Sequence, residues 1–192
     1  MIDSLSSEAV IRRRTPVFSN AVFAMILFAF TELMFFMALI SAFLVIQRDR
    51  ATQWDLPSNV QLPIYVTAVN TFVLLLSGAL LLWALRKESQ EQRKIWVSAA
   101  ALLGFVFVVV QGSEWIGLIE LGMTMKSTIF GACFFLLVGS HAVHAVAGSI
   151  ALLYGASLAS RGQLDNESLK ALQIFWLLIV LIWPVLYFVV YF

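Results

Sequence analysis

The chain has 192 residues, of which 61% are hydrophobic and 12% charged, and its net charge is +1 at neutral pH. That balance excludes a nucleic-acid surface, which needs a basic patch interleaved with aromatics. It also leaves no room for a soluble catalytic domain, because several apolar runs exceed the ~18–20 residues that cross ~30 Å of hydrocarbon.

Residues 1–19 are polar and carry Arg12, Arg13 and Arg14. The apolar run behind them is longer than the ~7–15 residues of a signal h-region and is followed by no small-x-small cleavage pattern. The expectation is a cytoplasmic N-terminal segment, 1–19, and a five-helix transmembrane domain, 20–192. The spans fall at about 20–46, 63–85, 95–119, 127–156 and 171–191, with ends uncertain by ~2–4 residues. Pro63 opens the second, since a first turn tolerates the missing N–H, and Pro184 is expected to kink the fifth.

Orientation follows from the basic residues. An inside N-terminus puts Arg12, Arg13, Arg14, Arg86, Lys87, Arg93, Lys94, Arg161 and Lys170 on the inner side and only Arg48, Arg50 and Lys126 outside. Nine against three is a positive-inside bias, so the N-terminus is expected in the cytoplasm and the C-terminus outside. Trp54, Trp96, Trp115, Tyr187 and Tyr191 fall near the expected interfaces. Cys133, the one cysteine, has no intrachain partner and reads as a small core residue.

Four ionisable side chains inside the spans invite chemistry, because each is costly in hydrocarbon. They are Glu32 in span 1, Glu114 in span 3, and His141 and His144 in span 4. At ~1.5 Å per residue, Glu32 and His144 both lie ~18 Å from the inner end of their helices. They are therefore expected to pair if those helices touch, with His141 and Glu114 as a second, shallower pair. Gly139, Ala142, Ala145, Gly148 and Ala151 run beside the histidines and suit close helix approach; Ser77-Gly78 reads the same way.

Metal binding does not fit. Two histidines on one helix face cannot flank a haem, and a carboxylate-bridged metal pair needs more inward Glu and His residues. No nucleophile–base constellation or cofactor motif is present, so no catalytic centre is expected in this chain. A structural pair beside a bound lipid headgroup and a proton relay both remain open. An independent proton-coupled carrier is the alternative from another class, although no internal repeat or interrupted helix supports it.

Four segments carry a family resemblance. Phe30-Thr31-Glu32 with Phe35-Phe36 is similar to F-x-[ST]-E-x-x-F-F. Asn70-Thr71 with Leu75, Ser77 and Gly78 is similar to N-T-x-x-L-x-x-S-G. Gln111 through Trp115 is similar to Q-x-x-E-[YW]. Ile129-Phe130-Gly131, Phe134-Phe135, Gly139, His141 and His144 follow I-Y-G-x-x-F-F-x-x-x-G-x-H-x-x-H. In this order they resemble subunit III of haem–copper terminal oxidases (cytochrome c oxidase), in its short five-helix bacterial form. The last helix departs from that family's W-H-F-x-D-x-x-W: Trp176 and Trp183 are kept, but Leu177 and Val180 replace the His and Asp.

The resemblance implies a non-catalytic subunit of a respiratory oxygen reductase in the bacterial inner membrane. It would pack on subunit I beside subunit II, within a larger supercomplex in some settings. Haem and copper would reside in those partners and none in this chain. Phospholipid would be held in a cleft, and the subunit would support stability, oxygen access and proton uptake. Glu32, His144, His141 and Glu114 match the family's motif positions. The altered last helix leaves a second possibility, a subunit III-like accessory protein of a nitric oxide reductase.

Overall fold

Helix ends are written into the chain by side chains that satisfy the first free N–H groups. Ser19, Ser89, Thr128 and Asp165 each accept from the backbone N–H three residues on, at Val22, Gln92, Gly131 and Ser168. Gly122 and Gly162 adopt φ of +90° and +68° just past two helix ends. The next residue's N–H then reaches back, Met123 to Leu118 O at 3.0 Å and Gln163 to Leu158 O at 2.9 Å. These are Schellman stops, which favour glycine because a Cβ strains the left-handed region.

The computed structural model describes residues 19–49, 54, 60–87 and 89–192. It contains α1 (Asn20–Arg48), α2 (Ile64–Ala84), α3 (Gln90–Glu120), α4 (Ile129–Ser160) and α5 (Asn166–Tyr191). All five are long and apolar enough to cross a membrane. The expected 1–19 segment, apart from Ser19, lies outside the described residues, as does Arg50. Helices α3 and α5 overrun the expected spans by five residues at their starts and α4 by four at its end, whereas α2 falls one residue short at each end. The caps at Ser89 and Asp165 lie in polar sequence beyond the hydrocarbon, where hydropathy carries no signal. Helix α5 runs on through Pro184.

The bundle packs α2 on α3, α3 on α4, and α5 against α1, α2 and α4, with a thinner α1–α4 contact. Half of the α5 apolar window is buried inside the protein, against 11% of α1's. So α5 is the inner helix and α1 the peripheral one. Lipid tails are as apolar as leucine, so the helices need close packing and hydrogen bonds to associate.

Both are present. Gly148 and Gly104 clamp Trp176: a Cβ on Gly104 would stand 2.6 Å from its Cζ2, and one on Gly148 2.9 Å from its Cε3. Gln173, Trp176, Trp183 and Tyr187 recur every three or four residues or their sum, which places them on one face of α5. All four donate to α2. Gln173 bonds Leu81 O, Trp176 bonds Ser77 Oγ at 3.1 Å, Trp183 bonds Thr71 Oγ1 at 2.8 Å and Tyr187 bonds Ile64 O at 3.1 Å. Between them Val180 and Leu177 lie against Gly78, whose Cβ would meet Val180 Cγ1 at 3.0 Å. The two apolar departures in the last helix therefore fill a groove that this glycine leaves. On the other side, Ser77 donates to Ala100 O at 2.7 Å and Asn70 to Phe107 O at 3.1 Å, tying α2 to α3.

Candidate functional site

Along α1, Glu32, Phe36, Ile40 and Phe43 share the face turned to the bundle; the last three are buried. That register sets Glu32 opposite α4. His144 Nε2 lies 2.9 Å from Glu32 Oε2, and each side chain keeps 19% of its surface exposed. His144 Nδ1 lies 2.7 Å from the Ser140 carbonyl one turn back.

This geometry fixes the protons. A carbonyl only accepts, so Nδ1 carries a hydrogen. The Nε2–Oε2 contact then needs one more, held by the imidazole or by the carboxyl. The pair is neutral overall either way, which lowers the cost of keeping an acid inside a bundle. Phe36, one turn from Glu32, sets its ring 5.2 Å from His144 and 6.1 Å from His141, edge-on.

His141 behaves differently from the expectation. It does not pair with Glu114. Its ring is 1% exposed, stacks on Trp183 at 5.0 Å and 29°, and neither nitrogen has a hydrogen-bond partner. The reason is helix register. The α3 row Phe107, Val108, Gln111, Gly112 and Trp115 faces α4, and Glu114 lies to one side of it. Gln111 and Trp115 therefore stand where Glu114 was expected. Together with His141 and Trp183 they line a cavity of about 220 Å³. Gln111 accepts from Asn70 at 3.2 Å, while its Nε2 and the Trp115 indole nitrogen are buried without partners.

So two of the four candidates meet, His141 is a core ring next to them, and Glu114 is half-buried elsewhere. Among the described residues no three His, Cys, Asp or Glu side chains come together as a metal-binding group. The α5 donors Gln173, Trp176, Trp183 and Tyr187 were not singled out from the sequence as one hydrogen-bonding face. Their helical spacing was the available signal. Their α2 acceptors include two backbone carbonyls, Leu81 O and Ile64 O, and backbone oxygens carry no sequence mark.

Residues 4–192 match the family model described as cytochrome c oxidase subunit III. A cytochrome c oxidase subunit 3 of Corynebacterium diphtheriae is 32% identical over 100 residues, covering 50% of this chain and 49% of that protein. One from Thermostichus vulcanus is 25% identical over 178 residues, covering 88% and 86%. One from Arabidopsis thaliana is 29% identical over 181 residues, covering 88% of this chain and 67% of that one.

Proposed function

The chain belongs to the cytochrome c oxidase subunit III family, and from that premise we propose that it serves as the non-catalytic third subunit of a respiratory haem–copper oxygen reductase. It packs on the catalytic subunit I beside subunit II in a bacterial inner membrane. There it holds phospholipid and supports stability, oxygen access and proton uptake. Haem and copper belong to the partner subunits. The observation that carries this reading is the Glu32–His144 contact at 2.9 Å. It joins the first and fourth helices through two positions that match the family's motif, in a chain matched over nearly its whole length.

In this reading the pair pins the peripheral α1 to the bundle and gives a neutral polar edge to the α1–α4 groove, where a phospholipid headgroup or glycerol ester lies. The N-terminus is cytoplasmic. Arg86, Lys87, Arg93 and Lys94 at the α2–α3 turn and Arg161 and Lys170 at the α4–α5 turn support that orientation.

The Glu32→Gln complex tests the assignment. Its haem absorption spectrum should equal the wild type's, while it inactivates after fewer turnovers and keeps less phospholipid. Immediate loss of haem refutes a non-catalytic role. One observation favours a second reading, an accessory protein of a nitric oxide reductase: the apolar Leu177 and Val180 in the last helix. The chains that leave mild detergent with this one, and their metals, separate a copper-containing oxygen reductase from a non-haem-iron enzyme.

A further inference from the structure

The cavity behind His141 has polar groups in its wall that no described residue satisfies. Gln111, Trp115 and His141 all line it. The Gln111 amide nitrogen, the Trp115 indole nitrogen and both His141 ring nitrogens are buried without hydrogen-bond partners. Asn70 holds the Gln111 amide by its oxygen at 3.2 Å, which leaves the nitrogen end over. His141 is 1% and Gln111 7% exposed, so bulk solvent does not hydrate them. A buried N–H without an acceptor loses its water and gains nothing in return. Amide and indole N–H groups only donate, whereas a neutral imidazole has one donor and one acceptor. Donors therefore outnumber acceptors around this wall, and the molecule that suits it brings oxygen lone pairs.

The rest of the lining describes the body of that molecule. Phe107, Val138, Ala145 and Trp183 make the wall apolar and largely aromatic. An apolar cavity of about 150 Å³ stays dry and takes benzene. At about 220 Å³ this one has room for a substituted six-membered ring. Gly112 and Val146 form an exposed rim between α3 and α4. Both sit inside helices long and apolar enough to cross a membrane, so the rim meets hydrocarbon and admits what dissolves there. A Cβ on Gly112 would find no atom within 4 Å, so the rim is open on that side.

We propose that this cavity binds the ring of a membrane-soluble quinone. The carbonyl oxygens accept from the Gln111 amide, the Trp115 indole and the His141 N–H. The flat ring lies among aromatic walls, and an apolar tail leaves past Gly112 and Val146 into lipid. The ring is held and not reduced. The site stands apart from the Glu32–His144 contact on the α1 side of α4, and it does not depend on which oxidase the chain joins.

The test uses the full chain in mild detergent at one detergent concentration, titrated with decyl-trimethylbenzoquinone and with decyl-trimethylbenzene, which keeps the shape and lacks the oxygens. The quinone has no free ring position, so Cys133 cannot add to it. Bound ligand is counted by native mass spectrometry. The quinone should saturate at one per chain and bind at least tenfold more tightly than the hydrocarbon. Trp115→Phe keeps the ring and removes a donor that bonds nothing in the free protein, so folding should be unharmed. It should weaken the quinone about fivefold and leave the hydrocarbon unchanged. Ala142→Leu, which fills part of the cavity, should weaken both ligands by similar factors. Equal affinity for the two ligands, or full quinone affinity in either variant, overturns the proposal. So does the absence of saturable quinone binding, which would make this a cavity for water or a lipid tail alone.

Discussion

A double-mutant cycle on Glu32 and His144 tests the central contact. In Glu32→Gln the new amide N–H can still donate to His144 Nε2, because Nδ1 already holds its hydrogen against the Ser140 carbonyl. The loss should be ~0.6 kcal/mol, the typical worth of an interhelical polar contact in a membrane bundle. Glu32→Ala leaves the imidazole nitrogen without a partner, which costs ~1–3 kcal/mol when the group is fully buried. With 19% of each side chain exposed, the lower half of that range is expected. His144→Ala should cost a similar amount, and the coupling between the two alanine variants should be ~0.6–1.7 kcal/mol. Ser140→Ala should be neutral, since His144 bonds the backbone oxygen and not the hydroxyl. The assay is reversible unfolding of the purified chain in mixed micelles. Additivity of the two alanine substitutions within ~0.3 kcal/mol, or Gln as costly as Ala, would refute the reasoning.

Three further outcomes follow from other contacts. Gly148→Ala places a Cβ 2.6 Å from Ile179 Cδ1 and 2.9 Å from Trp176 Cε3; overpacking of this kind should lower stability by ~1–3 kcal/mol in the same unfolding assay, whereas Gly112→Ala, where nothing lies within 4 Å, should not. Trp183→Phe removes the bond to Thr71 but leaves Thr71 Oγ1 donating to Thr67 O at 2.7 Å, so about 0.5–1.5 kcal/mol is expected for the lost bond, read against Thr71→Ser as a control. Asp165, in the α4–α5 turn, is held below the ordinary carboxylate range chiefly by its hydrogen bond with Ser168. A depressed folded value means the cap's contribution is complete above the unfolded pKa and is lost as pH falls through the lower folded one. Amide protection in the first turn of α5, taken relative to the intrinsic exchange rate at each pH, should fall below about pH 4, and Asp165→Asn should abolish that fall.

The register of the polar residues shows how far sequence reasoning reached. Glu32 and His144 could be matched in depth because a helix advances a fixed distance per residue. Depth says nothing about azimuth. Glu114 and His141 failed on that second coordinate: the α3 face that meets α4 runs through Gln111 and Trp115, and Glu114 is turned aside. The His141 ring instead stacks on Trp183, a residue 42 positions further along the chain.

Five apolar stretches long enough to span hydrocarbon, the capping residues and the motif order were all present in the one-dimensional chain, since each depends on local composition or spacing. Which helix lies innermost was not. Helix α5 takes that place through side-chain donors that meet Ser77, Thr71 and two backbone oxygens on α2. Trp176 also fits the gap left by Gly104 and Gly148 on two other helices. Those partners are about 90 to 120 residues from the α5 donors, or on separate helices, and in a lipid solvent hydropathy does not rank one helix face above another. Only the packed bundle decides that choice, along with the burial of Arg93 and the neutral pairing of an acid with an imidazole.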